Sequence, residues 1–373
     1  MVNDAGGRPM RVDPHPEGPT PWNERWPVDD LELLARCPAC GTGARESLHP
    51  DAVDNVLFCA PGVWSYWSCS GCGCAYLDPR PTPDSIQRAY QNYHTHSGPQ
   101  PLSATGGRLG LVKLALKNGY KNWRFGTDLQ PSARWGVALA LLVPTFRLGI
   151  DREFRHLSRF RRPGRLLDVG FGAGAFLETA RLAGWEACGI DPDPEVVANA
   201  RQRGLEVSCS RIEDFGGTEG TYDLITIAHV VEHVHEPATL LLHCRRLLKP
   251  GGTIWLETPN IESLGHARFG KNWRGLEPPR HLVVFNRRTL RSLLQQAGFT
   301  DVQDLPQASP VGGVYAMSSR MELGMAPDIE TAPPRRLRLD IALARFLEMC
   351  LGPSRKEFLA MVATKPESAA PPA

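Results

Sequence analysis

From Gly164 onward the chain alternates short, almost wholly apolar runs with longer segments whose apolar residues recur every three or four positions. RLLDVG, EACGID, LEVSCS, YDLITIAH and TIWLETPN have the length and branched content of buried strands. AFLETARLAG, PEVVANARQRG and ATLLLHCRRLL have the period of helices packed on one face. Strand and helix in strict alternation predict a parallel sheet covered on both sides. The punctuation agrees: Asp193, Pro194 and Glu195 make a helix start, and Gly184 and Gly204 are helix stops. After TLRSLLQQAGF, the runs TDVQDL and EFLAMVATK predict two further strands, separated by a helical insertion between about 309 and 352.

The first 160 residues have a different texture. Residues 1–30 and 367–373 are rich in Pro, Gly, Ala and charge and are expected to be flexible tails. Residues 31–81 gather cysteines between short aromatic stretches such as VWSYWSC, the pattern of small strands joined by knuckles. Residues 82–160 form a connector or lid. Within it TPDSIQRAYQNYH (82–94) predicts a helix, with Thr82 as cap, Pro83 in the first turn, and Ile86, Tyr90 and Tyr93 on one face. Residues 161–366 form the main domain. The longest apolar run, Trp135 to Val143, is stopped by Pro144 and is far short of the roughly 20 residues a spanning helix requires, so it is read as a buried or interfacial helix.

The chemistry starts at the loop after the first strand. In LLDVGFGAG (166–174), Gly170, Gly172 and Gly174 let backbone amides approach a ligand at a helix N-terminus. Gly170, Gly172 and Ala175 also satisfy the nicotinamide-binding spacing, so the loop alone does not choose a cofactor. Asp168 does: a carboxylate beside the loop repels a pyrophosphate and welcomes the ammonium of a methionine moiety, which favours S-adenosylmethionine (SAM). Asp191, ending the next strand, can accept from ribose hydroxyls. Asp214 in SRIEDF can accept from an adenine amine, with Ile212 and Phe215 beside the ring.

AHVVEHVHEP places His229, Glu232, His233 and His235 at the carboxyl edge of the fourth strand, where open α/β sheets bind ligands. His229 is the first candidate for a base, and a Glu and His pair there could hold a divalent cation that orients an acceptor hydroxyl. Tyr90, Tyr93, His94 and His96 are candidates for an aromatic, polar roof over the acceptor, though the tyrosines read better as plain core.

CPACG (37–41) and CSGCG (69–73) are two knuckles with glycine after the second cysteine, the form that folds amides around thiolates on zinc. The expected ligands are Cys37, Cys40, Cys69 and Cys72, a closed structural Zn2+ site. Cys59 and Cys74 are spares, and Cys188, Cys209, Cys244 and Cys350 are expected to be buried packing residues.

In combination, LLDVGFGAG, GIDP, EHV, LKPGG, TPN and PRHL resemble the class I SAM-dependent methyltransferases, in the bacterial branch that carries an N-terminal zinc-ribbon. The resemblance covers about 164–300 and extends with the last strand to about 366. It implies a Rossmann-like α/β fold with a seven-stranded sheet in the order 3-2-1-4-5-7-6, strand seven antiparallel. It also implies SAM contacts from Asp168, Gly170, Gly172, Gly174, Asp191 and Asp214. Catalytic candidates are His229, His233 and His281, the last from PPRHLVVF, which with Arg280 looks similar to a second active-site segment. Phe171 departs from the relatives, many of which have cysteine there.

With 42 basic and 40 acidic residues the chain lacks the single-sign field of a nucleic-acid binder, so nucleic acid is not the expected partner. The N-terminus has no apolar export segment, which gives a cytoplasmic expectation; no transmembrane segment is expected, and peripheral membrane contact stays open. The leading expectation is O- or C-methyl transfer to a small-molecule or sugar/glycan acceptor. The alternatives are a zinc-ribbon-containing ribosomal RNA methyltransferase, an NAD-dependent oxidoreductase and a silent SAM-binding protein.

Overall fold

A computed structural model describes residues 23–90, 107–157, 163–306, 310–325 and 335–367. Tyr93, His94 and His96, and both terminal tails apart from residues 23–30 and Glu367, lie outside them.

The N-terminal part contains β1 (Leu31–Glu32), β2 (Arg45–Ala52), β3 (Trp64–Cys69), β4 (Ala75–Leu77) and β5 (Arg80–Pro81). The expected helix at 82–94 is described only as a 3-10 turn over Ile86–Tyr90, in which the Thr82 carbonyl accepts from the Ile86 amide at 3.0 Å. Then come α1 (Gly107–Phe125), α2 (Trp135–Leu142) and α3 (Pro144–Glu153). The apolar run forms α2, and Val143 joins it to α3, whose first residue is Pro144, where a missing N–H costs nothing.

The main domain follows the predicted alternation: β6 (Arg165–Val169), α4 (Ala175–Leu182), β7 (Glu186–Asp191), α5 (Pro194–Gln202), β8 (Glu206–Cys209), β9 (Tyr222–Ala228), α6 (Pro237–Leu247) and β10 (Leu248–Pro259). Asp193 caps α5 as its sequence implies, accepting from the Glu195 and Val196 amides at 2.9 and 3.2 Å. The chain continues through α7 (Leu264–Phe269), β11 (Val283–Val284), α8 (Arg287–Gln296) and β12 (Thr300–Asp304). It ends with α9 (Val311–Glu322), α10 (Arg335–Leu351) and β13 (Phe358–Thr364).

Seven strands make one sheet in the order β12-β13-β10-β9-β6-β7-β8, with β13 antiparallel to both neighbours. In strand numbers counted from β6 this is 3-2-1-4-5-7-6, the expected topology. Successive strand residues feed opposite faces: Leu166, Leu224 and Trp255 join one apolar cluster with α1 to α5, and Leu167, Ile225 and Ile254 join the other.

The cysteine-bearing part is fused to this domain rather than strung beside it. β11 crosses over to extend its sheet, β11-β4-β3-β2, pairing Val283 with Tyr76 and Val284 with Ala75. Its Trp64, Tyr66 and Leu77 belong to the same apolar cluster as Leu167 and Ile254.

Candidate functional site

At the carboxyl ends of β6 and β9 lies a cleft of about 490 Å³, lined by the glycine loop, α3 and the ends of β9 and β10. Such a volume suits a small cofactor. The loop turns because Gly170, Gly172 and Gly174 all take left-handed backbone conformations, with φ of 68°, 54° and 76°. A Cβ at Gly170 would in addition run into the Val230 side chain.

Beneath the loop Asp168 is fully buried. Its Oδ1 accepts from Thr226 Oγ1 at 2.7 Å and from the Arg155 guanidinium; its Oδ2 is buried without a partner. Burial pushes this carboxyl above its ordinary range despite Arg155. An orphaned carboxylate oxygen at the cofactor end of a glycine loop is the expected receptor for an ammonium. Asp191 reaches the loop from β7, its Oδ2 accepting from the Gly172 amide at 3.1 Å, and burial raises it as well. Asp214 stands exposed in the turn after β8, next to buried Ile212.

His229 directly follows β9 in a left-handed conformation, φ 54°, a strain characteristic of functional positions. Its Nδ1 lies 3.3 Å from Glu232 and its Nε2 3.2 Å from Glu257. Burial alone would lower its pKa, but the two carboxylates outweigh it and hold the ring at about 9. His229 is therefore an imidazolium at neutral pH. Both nitrogens of the expected base face carboxylates, which is what raises its pKa. Glu257 is held down to about 2, burial being outweighed by His229 and by Arg152, whose Nε and Nη2 donate at 3.0 and 2.7 Å.

His233 and His281 behave oppositely. Burial lowers both, His281 to about 4, so both rings are neutral. His281 Nδ1 donates to the Gly275 carbonyl at 2.8 Å and His233 Nδ1 to the Arg280 carbonyl at 3.0 Å, leaving Nε2 as the lone-pair atom on each. Ligating atoms of Glu232, His233 and His281 lie within 4.8 Å of one another, a set that could hold a divalent cation. Of the expected roof, Tyr90 is described, with its hydroxyl 3.0 Å from His233 Nδ1. Arg280 does not face the cleft: it is fully buried against Asp54 and Glu277.

Ligating atoms of Cys37, Cys40, Cys69 and Cys72 also lie within 4.8 Å of one another. The two knuckles match: Gly41 N donates to Cys37 O at 2.9 Å and Gly73 N to Cys69 O at 2.8 Å, with both glycines left-handed. Cys74, a spare by sequence, lies beside the cluster, its Sγ 3.5 Å from Cys37 and 3.3 Å from Cys72. Hydrogen bonds from Cys37 and Cys74 hold Cys72 down as a thiolate while pushing their own thiols up. A dication relieves that competition by letting several ionise together. Cys59 sits elsewhere, 3.6 Å from Asp54 Oδ2. Cys209 and Cys350, expected to be buried, are exposed.

Sequence reasoning missed Arg152, Arg155 and Glu257. No spacing marks them: the two arginines are carried in by the end of α3, 105 and 13 residues from their partners.

The sheet order, the glycine loop with its buried aspartate and the titratable edge of β9 together define a class I methyltransferase fold. Residues 147–304 match the family model described as a methyltransferase domain, and this part of the chain is a class I SAM-dependent methyltransferase domain. A ubiquinone biosynthesis O-methyltransferase of Xanthomonas oryzae is 39% identical over 103 residues, 26% of this chain and 43% of the relative. One bearing the same name from Xanthomonas campestris is 38% identical over 135 residues, 34% of this chain and 56% of the relative. The chain thus spans about half the length of the curated relatives it matches. A SAM-dependent methyltransferase of Archaeoglobus fulgidus superposes with a TM-score of 0.40 at 22% identity, over 63% of this chain and 95% of that one.

Proposed function

We propose that the chain transfers the methyl group of SAM to a hydroxyl of a small-molecule or glycan acceptor. The observation that carries this reading is the buried Asp168, with one oxygen unpartnered beside three left-handed glycines. SAM brings an already activated methyl, so the protein must hold the acceptor in line and take a proton from it. Asp168 would receive the cofactor's ammonium, the left-handed turn through Gly170, Gly172 and Gly174 would let the cofactor lie close to the backbone, and Asp191 would receive its ribose and Asp214 its adenine. His229, as an imidazolium, would hold the two carboxylates in place, and the neutral Nε2 of His233 or His281 would take the acceptor's proton. Oxygen as the accepting atom is supported by the name of the relatives, O-methyltransferase.

Calorimetry tests the cofactor half. SAM and S-adenosylhomocysteine are expected to bind, NAD not. Asp168→Asn is expected to weaken SAM by roughly ten- to a hundredfold, the usual worth of a charge-assisted hydrogen bond. Tight NAD binding without SAM binding would sink the assignment.

The convergence of Glu232, His233 and His281 favours a second reading, in which those histidines hold a divalent cation that orients the acceptor oxygen instead of serving as the base. Mn2+ binding followed by its paramagnetic resonance signal should show one site, weakened at least about tenfold in His281→Gln. Added Mg2+ should raise turnover in protein whose zinc content is unchanged. Equal turnover with and without the cation, and no bound Mn2+, would show the three side chains to be a plain polar cluster.

A further inference from the structure

One surface is used by none of this. α1 and α2 form an antiparallel hairpin so close that a Cβ at Gly119 would meet the Ala133 backbone and one at Gly136 the Leu116 backbone. Partner numbers fall along α1 as they rise along α2, so from the Gly136 crossing at Leu116 the free end of the hairpin brings the start of α1 beside the end of α2. That end is apolar and in water. On α1, Leu109 is 78%, Leu111 52% and Val112 56% exposed; on α2, Leu141 is 62% and Leu142 80% exposed. Scattered exposed apolar residues need no explanation, but four leucines and a valine on adjoining turns of two packed helices do.

The charge on the same hairpin is one-sided. Between Gly107 and Val143 there are six lysines and arginines and a single carboxylate, Asp128. Lys113 and Lys117 stand exposed among the leucines. In a chain whose overall charge is nearly balanced, a local excess of this size is a feature of the surface rather than of the protein.

We propose that the α1–α2 hairpin docks on an anionic lipid bilayer, its leucines entering the acyl boundary and its lysines meeting the headgroups. Charge argues for a bilayer over a second copy of the chain. A two-fold contact would lay this basic patch against itself, whereas anionic headgroups complement it. No helix among the described residues is long and apolar enough to cross a membrane, so the contact is peripheral. α2 continues through one residue into α3, which lines the cleft with Gly149, Arg152 and Glu153, so docking would set the cleft close to the headgroup layer.

The test is co-sedimentation of the full chain with phosphatidylcholine vesicles made with and without phosphatidylglycerol, in the absence of SAM. The chain is expected to pellet with the phosphatidylglycerol vesicles, less so as salt rises. Lys113→Glu with Lys117→Glu, and separately Leu142→Asp, should each reduce binding about tenfold or more. These positions are exposed and do not line the cleft, so SAM affinity should stay at the wild-type value. That makes failure of the docking distinguishable from failure of the methyl-transfer reading. No pelleting with either vesicle would overturn the proposal. So would a wild-type dimer in light scattering that Leu142→Asp turns into a monomer without any vesicle binding, since the patch would then join two copies.

Discussion

Cys69→Ser is expected to unfold the N-terminal module and to abolish turnover while leaving much of the SAM affinity intact. We infer Zn2+ on Cys37, Cys40, Cys69 and Cys72. A structural zinc contributes on the order of 10 kcal/mol to a small fold of this kind, comparable with the whole stability of a domain. The consequence reaches the main domain through specific bonds. Thr289 Oγ1 and Asn286 Nδ2 donate to the Cys72 carbonyl at 3.0 and 2.8 Å, from the start of α8. Tyr66 Oη shares its one proton between the Leu276 and His281 carbonyls, 2.6 and 2.8 Å away. Loss of the knuckles therefore releases the segment that presents His281, whereas Asp168 and Asp191 hang on β6 and β7 at the other side of the sheet. Metal analysis should give about one zinc per wild-type chain, as a closed four-thiolate site holds. Limited proteolysis should cut the variant first between residues 31 and 81. A metal-free wild type of undiminished stability, or an iron–sulfur absorbance, would overturn the assignment.

The alternation of strand and helix and the two cysteine knuckles were legible because both are local signals, whereas the sheet order came with the resemblance to a known family. A buried strand announces itself within six residues, and a CxxCG knuckle within five. Asp168 was legible for the same reason, being two residues from the loop it serves. What the sequence hid is non-local. β11 is only Val283 and Val284, and nothing in two valines tells that they extend a sheet laid down 200 residues earlier. The pKa of His229 is raised in part by Glu257, 28 residues away on the neighbouring strand, a partner that no local spacing reveals. Arg280, in a motif that looked like an active-site segment, is drawn away from the cleft by Asp54, 226 residues distant. In each case the residue type was visible, and the partner that decides its chemistry was not.

That arginine gives the second large effect. Arg280 is completely buried where the module meets the main domain. Its Nε donates to Glu277 at 2.9 Å, and its Nη atoms donate to both oxygens of Asp54 and, at 2.9 Å, to the Ala89 carbonyl. Asp54 is spent in turn on the amides of Leu57, Cys59 and Ala60, at 3.0 to 3.1 Å, so it cannot swing out to water without unmaking the loop. Arg280→Met, which keeps the apolar stem, strands the buried Asp54 carboxylate and leaves Glu277 to Arg274 alone. The expected cost is about 3–5 kcal/mol, read as a lowered urea midpoint. Arg280→Lys should fall between, since an ammonium keeps the charge but lacks the fork that spans both acids. The pH dependence follows from direction. For Asp54 and Glu277 burial acts to raise the carboxyl, and Arg280, with Arg274 beside Glu277, overrides it and holds both below their ordinary range. With Arg280 gone burial is unopposed at Asp54, so the wild type's advantage over Arg280→Met should be full only above the raised carboxyl range of the variant and fade as pH falls from there through the depressed wild-type values. In Asp54→Asn with Arg280→Met the loss should be smaller than the sum of the single losses by at least about 1 kcal/mol. Strict additivity would show that the arginine acts through packing rather than through the acid it neutralises.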